Sequence, residues 1–321
     1  TTNLVAGGAV AQAPFIIAQS TQGSFAPTPG AVTLIANGFS PFYFQPYPQF
    51  TGAVNVIDNN DRSRYNALEI QMSRRAAKGF AFQGSYTLAK SEDTRSFDPA
   101  FTLITRGGTG QSAGNTPFDI NNRDLNYAPS DFDRRHALQG YALYDLPIGK
   151  GRAIGNGWGK TADLLLGGFN VAGVMRWYSG RPFTVFAGSN TLSQVVFTPA
   201  SCDSCSPNLG SVVLENGRNV FFTADQRSKF FVPAAGEFSN VGRNYFRGPN
   251  FFNLDMTVGK RFHFSETKNL EVRVEAQNVT NTPSFAVPDG NLILTSGSFG
   301  QILGNTTSTS RKVQFMAKFN F

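Results

Sequence analysis

Charge is scarce in this sequence: Asp, Glu, Lys and Arg make up 15% of 321 residues, against about a quarter in ordinary soluble domains. Histidine is scarcer still. His136 and His263 lie far apart in the chain, in separate strands, and no clustered nucleophile and base accompanies either, so no catalytic role is expected. Cysteine is confined to Cys202 and Cys205 in SCDSCSPN. Zinc would need two more ligands and none is near, so a small loop disulfide in an oxidising compartment is favoured over metal or redox use, and no cofactor is expected. No apolar run approaches the roughly 18 to 20 residues of a membrane helix. The net charge of +7 is spread along the chain. Its densest cluster, Arg74, Arg75 and Lys78, flanks a short turn, which speaks against a nucleic-acid partner. A methionine start and a signal-type leader are also lacking, so the chain reads as a piece of a longer protein.

Phenylalanine and glycine are plentiful instead, at 31 and 33 copies. Residues 1–62 read as an irregular, Pro- and aromatic-rich loop region facing the exterior, with SPFYFQPYPQF and a short strand at Val32–Ala36. Residues 63–321 alternate apolar and polar side chains in long runs. The clearest is RKVQFMAKFNF, where Val313, Phe315, Ala317, Phe319 and Phe321 share one face and Lys312, Gln314, Lys318 and Asn320 the other. Eleven residues at roughly 3.3 Å each, tilted about 45°, climb on the order of 25 Å, the height of a barrel's lipid-facing band. Earlier runs of this kind are Tyr65–Arg74, Phe80–Ala89, Arg135–Leu146, Leu165–Tyr178, Phe252–Phe264 and Leu270–Asn278. Pairing Phe264 with Leu270 across SETKN sets Phe262 opposite Val272 and Val258 opposite Ala276. Lys260 then falls on the apolar face, where charge at mid-depth costs about 2–4 kcal/mol, so either it snorkels or the facing is locally different.

Connections after the first, third and fifth strands are short or intermediate; loops at about 90–132, 179–250 and 280–310 run to tens of residues. Short turns on one side and long loops on the other predict an all-β, antiparallel transmembrane barrel in the outer membrane. Seven strands that begin outside cannot close an even-numbered barrel, so a C-terminal portion of about seven or eight strands is expected. The polar face gathers Glu69, Arg176, Asp255, Arg273 and Glu275, which would meet water or a plug. Asp131, Asp133, Arg134 and Arg135 in DFDRRH read as a rim salt-bridge cluster. Arg243 and Arg247, in VGRNYFRGPN, either tie loops to lumen carboxylates, the favoured role, or bind acidic partners.

RSRYNALEIQMSRRAAKGFAFQGSYTLAKSED, DFDRRHALQGYALYDLP, GGFNVAGVMRWYSGRPF, NVGRNYFRGPNFFNLDMTVGKRF and EVRVEAQNVTNTPSF, in that order and with the closing FNF, resemble the C-terminal barrel of TonB-dependent outer-membrane receptors. The likeness is to the Oar-like branch, which carries a carboxypeptidase-regulatory-like domain, and it spans about Pro48 to Phe321. It implies a barrel of about 22 strands, a plug domain and a TonB-engaging segment supplied from elsewhere, and an unidentified solute bound at the outer loops. It also implies that Phe315, Phe319 and Phe321 form the signal read by the barrel-assembly machinery. A passive porin or a surface adhesin could use the same wall, and a soluble β-sandwich binding module is the remaining alternative.

Overall fold

Seven long strands in a computed structural model form the wall: β1 (Ser63–Ala77), β2 (Phe80–Asp93), β3 (His136–Asp145), β4 (Phe169–Tyr178), β5 (Phe251–His263), β6 (Asn269–Gln277) and β7 (Lys312–Asn320). The structure describes residues 59–96, 117–119, 122–188, 191, 197–234, 236–264, 268–288, 293–303 and 306–321. The aromatic loop region before residue 59 and the Val32–Ala36 strand lie outside them. Each wall strand pairs antiparallel with the next in sequence, and the two-residue strand Ala128–Pro129 joins the outer end of β2. β1 and β7 are the edges, and among the described residues the sheet is not closed into a barrel.

Register carries the two faces across all seven strands. Leu68 pairs with Leu88, Ala142 with Gly173, Val171 with Val258, and Val274 with Phe315, so the apolar set stays on one side. On the other side Thr257 pairs with Glu275 and Glu271 with Lys318. Large apolar side chains on the first face are open to the surroundings: Leu68, Val258 and Phe315 are 56%, 40% and 76% exposed. A dry sandwich would have buried them, so the soluble alternative does not describe this sheet. Aromatic rings mark both ends of the apolar face. Tyr86, His136 and Trp177 cluster at the long-loop end, with the Tyr86 hydroxyl 2.8 Å from His136 Nδ1. Phe80, Phe82, Tyr144, Phe264 and Phe319 lie at the short-turn end. Two aromatic belts flanking an apolar band are what a sheet in a bilayer needs at its two interfaces.

Turn chemistry fixes the short side. Between β1 and β2, Lys78 and Gly79 both take positive φ, 52° and 78°, as a two-residue hairpin turn requires. Three details differ from the sequence reading. The fourth strand starts at Phe169 rather than Leu165, because Lys160–Leu166 forms about two helical turns, α1, ended by Gly167 and Gly168. β5 and β6 pair two residues out of the expected register, with Phe262 opposite Leu270 and Val258 opposite Val274. The shift is even, so no side chain changes face. Lys260 does not snorkel to open solvent. It is 8% exposed, and its ammonium donates to the carbonyls of Leu165 and Gly167 at 3.0 and 2.6 Å. It also sits 4.2 Å from the Phe169 ring centroid. These carbonyls end α1, so the cation meets the negative end of a short helix.

The hydrophobic core lies in the loops. Phe183, Phe221, Phe222 and Phe246 are fully buried there with Val185, Phe230, Val287, Phe299 and Ile302. Loop 179–250, expected to be an unstructured connection, instead holds paired short strands and a four-residue helix, α2 (Ala224–Arg227).

Candidate functional site

The long loops condense into one cap at the outer rim. Phe222 is its centre, with ring centroids 5.1 Å from Phe221 and Phe230 and 5.8 to 6.0 Å from Phe246, Phe183 and Phe299. The last loop supplies Val287, Phe299 and Ile302, and the backbone amide of Phe221 donates to the Gly300 carbonyl at 2.7 Å. Thr223 starts α2 with a reciprocal capping box to Gln226. Cys202 and Cys205 are disulfide-bonded, with Cys202 in the core and Asn240 bonding both its backbone amide and its carbonyl at 3.0 Å. SCDSCSPN is therefore polar in composition but anchored on its first cysteine.

Beneath the cap, buried charges lock the loops to the wall. The Arg243 guanidinium is 3% exposed. It pairs with the Asp93 carboxylate at the end of β2 and donates to the carbonyls of Thr94 and Pro129 at 3.0 and 3.3 Å. Next to it, Asn244 Nδ2 donates to Asp131 Oδ1 and to the Pro129 carbonyl, both at 2.7 Å. Asp133 accepts from the Ser91 amide at 2.8 Å and forms an ion pair with Arg247 at 2.7 Å, close in distance though not aligned as a hydrogen bond. Burial pushes the Asp131 carboxyl up, and Arg243 and Asn244 oppose that shift. Arg134 donates to the Ser179 carbonyl at 2.6 Å; burial, with Arg181 nearby, lowers it to about 10, so it stays cationic. The DFDRRH and VGRNYFRGPN stretches thus meet face to face, and both arginines of the latter are spent on internal carboxylates.

Two further stretches join the same seam. Pro182–Phe183 pairs with Phe246–Arg247, and Gly180 lies so close to Gly248 that a Cβ there would overlap the Gly248 carbonyl. In QNVTNTPSF, Asn278 takes a positive φ of 47° and its side chain donates to the carbonyls of Thr309 and Thr282 at 2.8 and 3.2 Å. The Ser284 hydroxyl bonds the amide and carbonyl of Phe252, both at 3.1 Å.

On the polar face, Arg176 pairs with Asp255 at 3.3 Å, and Asp255 also accepts from the Asn278 amide at 2.9 Å. Arg273 lies between Glu271 at 2.6 Å and Glu275 at 3.4 Å, and Arg261 reaches Glu271 at 3.4 Å. Four of the five expected lumen charges therefore sit in two ion-pair groups on adjacent strands. Glu69 does not join them: it stands exposed on β1, at the far edge of the sheet. Sequence reading placed Glu271 and Arg261 on the polar face but did not name them among the lumen charges, and it missed the whole phenylalanine core. Phe315, Phe319 and Phe321 stand exposed on the apolar side of β7, with the Phe319 and Phe321 rings stacked 6.3 Å apart.

A two-faced antiparallel wall, aromatic at both interfaces and capped on its long-loop side, defines an integral outer-membrane β-barrel protein. The family described as outer membrane beta barrel domain matches residues 12–314, and the chain belongs to it. Its place is the bacterial outer membrane. No curated protein and no solved structure matches the chain.

Proposed function

We propose that this wall and cap belong to a TonB-dependent transport receptor that binds a solute at its extracellular loops and imports it with energy from the inner membrane. The observation that carries the reading is the cap: two long loops folded on one phenylalanine core and locked by buried ion pairs to the rim and to the third loop. A permanently open channel gains nothing from spending that much sequence above its mouth. A gated receptor needs a rigid outer surface that holds a ligand until the lumen opens. The resemblance described above supports the finer assignment. The charge ladder of Arg176, Asp255, Arg273 and Glu275 would face a plug domain, and a segment outside these residues would engage the TonB complex. Outer-membrane lipid covers the apolar face, and the barrel-assembly machinery reads Phe315, Phe319 and Phe321. No catalytic step is assigned.

Depletion of solutes from the growth medium, followed by mass spectrometry in cells with and without the protein, tests this. At least one solute should disappear only when the protein is present, and that uptake should stop when the inner-membrane proton gradient is collapsed. Entry that continues without the gradient would establish a passive porin. Cell attachment to a surface polymer with no uptake would establish an adhesin.

A further inference from the structure

The periplasmic connection between β3 and β4, residues 148–168, is folded but leaves its largest side chains uncovered. Ile154, Leu164, Leu165 and Leu166 are 54%, 45%, 64% and 55% exposed, and α1 has no buried residue and no side-chain N-cap. A seven-residue helix with those features has little reason to persist in water, where even Ala-rich helices below about 12–15 residues are marginal. Three consecutive leucines cover well over half its circumference, so packing on one protein face could not hide them.

Lys260 decides on which side of the wall this element lies. Its side chain belongs to the apolar face, beside Phe169 and Val272, and it holds the two carbonyls that close α1. The leucines therefore continue the lipid-facing band at its periplasmic end. Charge follows the same side. Within 148–168 the cations are Lys150, Arg152 and Lys160, all exposed, and the single acid, Asp163, is turned inward to accept from the Lys150 backbone amide. Trp158 lies among them, half-buried.

We infer that residues 148–168 form an interfacial anchor. Leu164, Leu165, Leu166 and Trp158 enter the periplasmic leaflet of the outer membrane, while Lys150, Arg152 and Lys160 bind the phosphates of anionic phospholipids. The inference uses only the membrane location and is independent of transport.

The test is the intact protein with Trp177→Phe, reconstituted in vesicles, so that Trp158 is this chain's sole tryptophan. Its emission should shift to shorter wavelength and be quenched by phospholipids brominated near the headgroup end of their chains. Replacing Leu164, Leu165 and Leu166 together by Gln should abolish both effects while the wall strands keep their circular dichroism. Phosphatidylglycerol should strengthen quenching over phosphatidylcholine alone, and Lys150→Gln, Arg152→Gln and Lys160→Gln together should remove that gain. Water-like emission without quenching would overturn the anchor, and equal quenching in both lipids would overturn the anionic preference.

Discussion

Replacing Arg243 with alanine would leave the carboxylates of Asp93 and Asp131 buried without their counter-ion. The expected cost is about 3–5 kcal/mol, the usual penalty for breaking a buried pair from one side. Proteolysis of the outer loops should accelerate accordingly while the wall still migrates as folded protein on unheated gels. The Arg176–Asp255 pair makes a contrast, since both partners are substantially exposed; Arg176→Ala should change stability by at most about 1 kcal/mol. Gly180→Ala places a methyl group against the Gly248 carbonyl and should loosen the same seam by about 1–3 kcal/mol, read by the same proteolysis. At this scale some of the site was legible. DFDRRH and VGRNYFRGPN each announce charge and turn residues, but nothing in a linear sequence says that Arg243 reaches Asp93 across 150 positions. Lys260 was visible as the one charge on the wrong face; its partners were not, because main-chain carbonyls leave no mark in composition.

Individual strands carry the next level. β7 exposes Phe315 on its apolar face and Gln314 on its polar one. Phe315→Arg should destabilise the wall by about 2–4 kcal/mol in a bilayer, and Gln314→Arg by much less, a difference that urea unfolding in vesicles measures directly. Phe319→Ala would remove an aromatic contact at the periplasmic belt and is expected to lower the yield of assembled protein, seen in outer-membrane fractions. In the cap, Phe222→Ala should cost about 3–5 kcal/mol and expose 179–250 to protease without altering strand content. The wall strands could be read because a two-residue period repeats over nine residues or more. The β5–β6 register could not, because pairing is set by how SETKN turns, and an even slip preserves every facing. The cap escaped notice for a related reason: its strands are two or three residues long, too short to show a period. Nine phenylalanines in 179–250 were nevertheless a compositional signal that this loop has an interior, and Thr223 with Gln226 spelled a helix start.

For the molecule as a whole, wall and cap differ in solvent and in what stabilises them. The sheet has no dry interior of its own and takes its apolar environment from lipid on one side, whereas the cap carries a core of the soluble kind. β1 and β7 present unpaired backbone edges within the described sheet, and such edges are not tolerated against hydrocarbon. Each therefore has a strand partner in the assembled membrane protein. The order in which parts appear is constrained as well. Phe222 finds four ring neighbours within 179–250, but the fifth, Phe299, comes from the final loop, so the cap is complete only once both loops have reached the far side. Insertion thus sets the clock for ripening of the surface. The Cys202–Cys205 ring spans three positions, small enough to close before passage without tethering one loop to another.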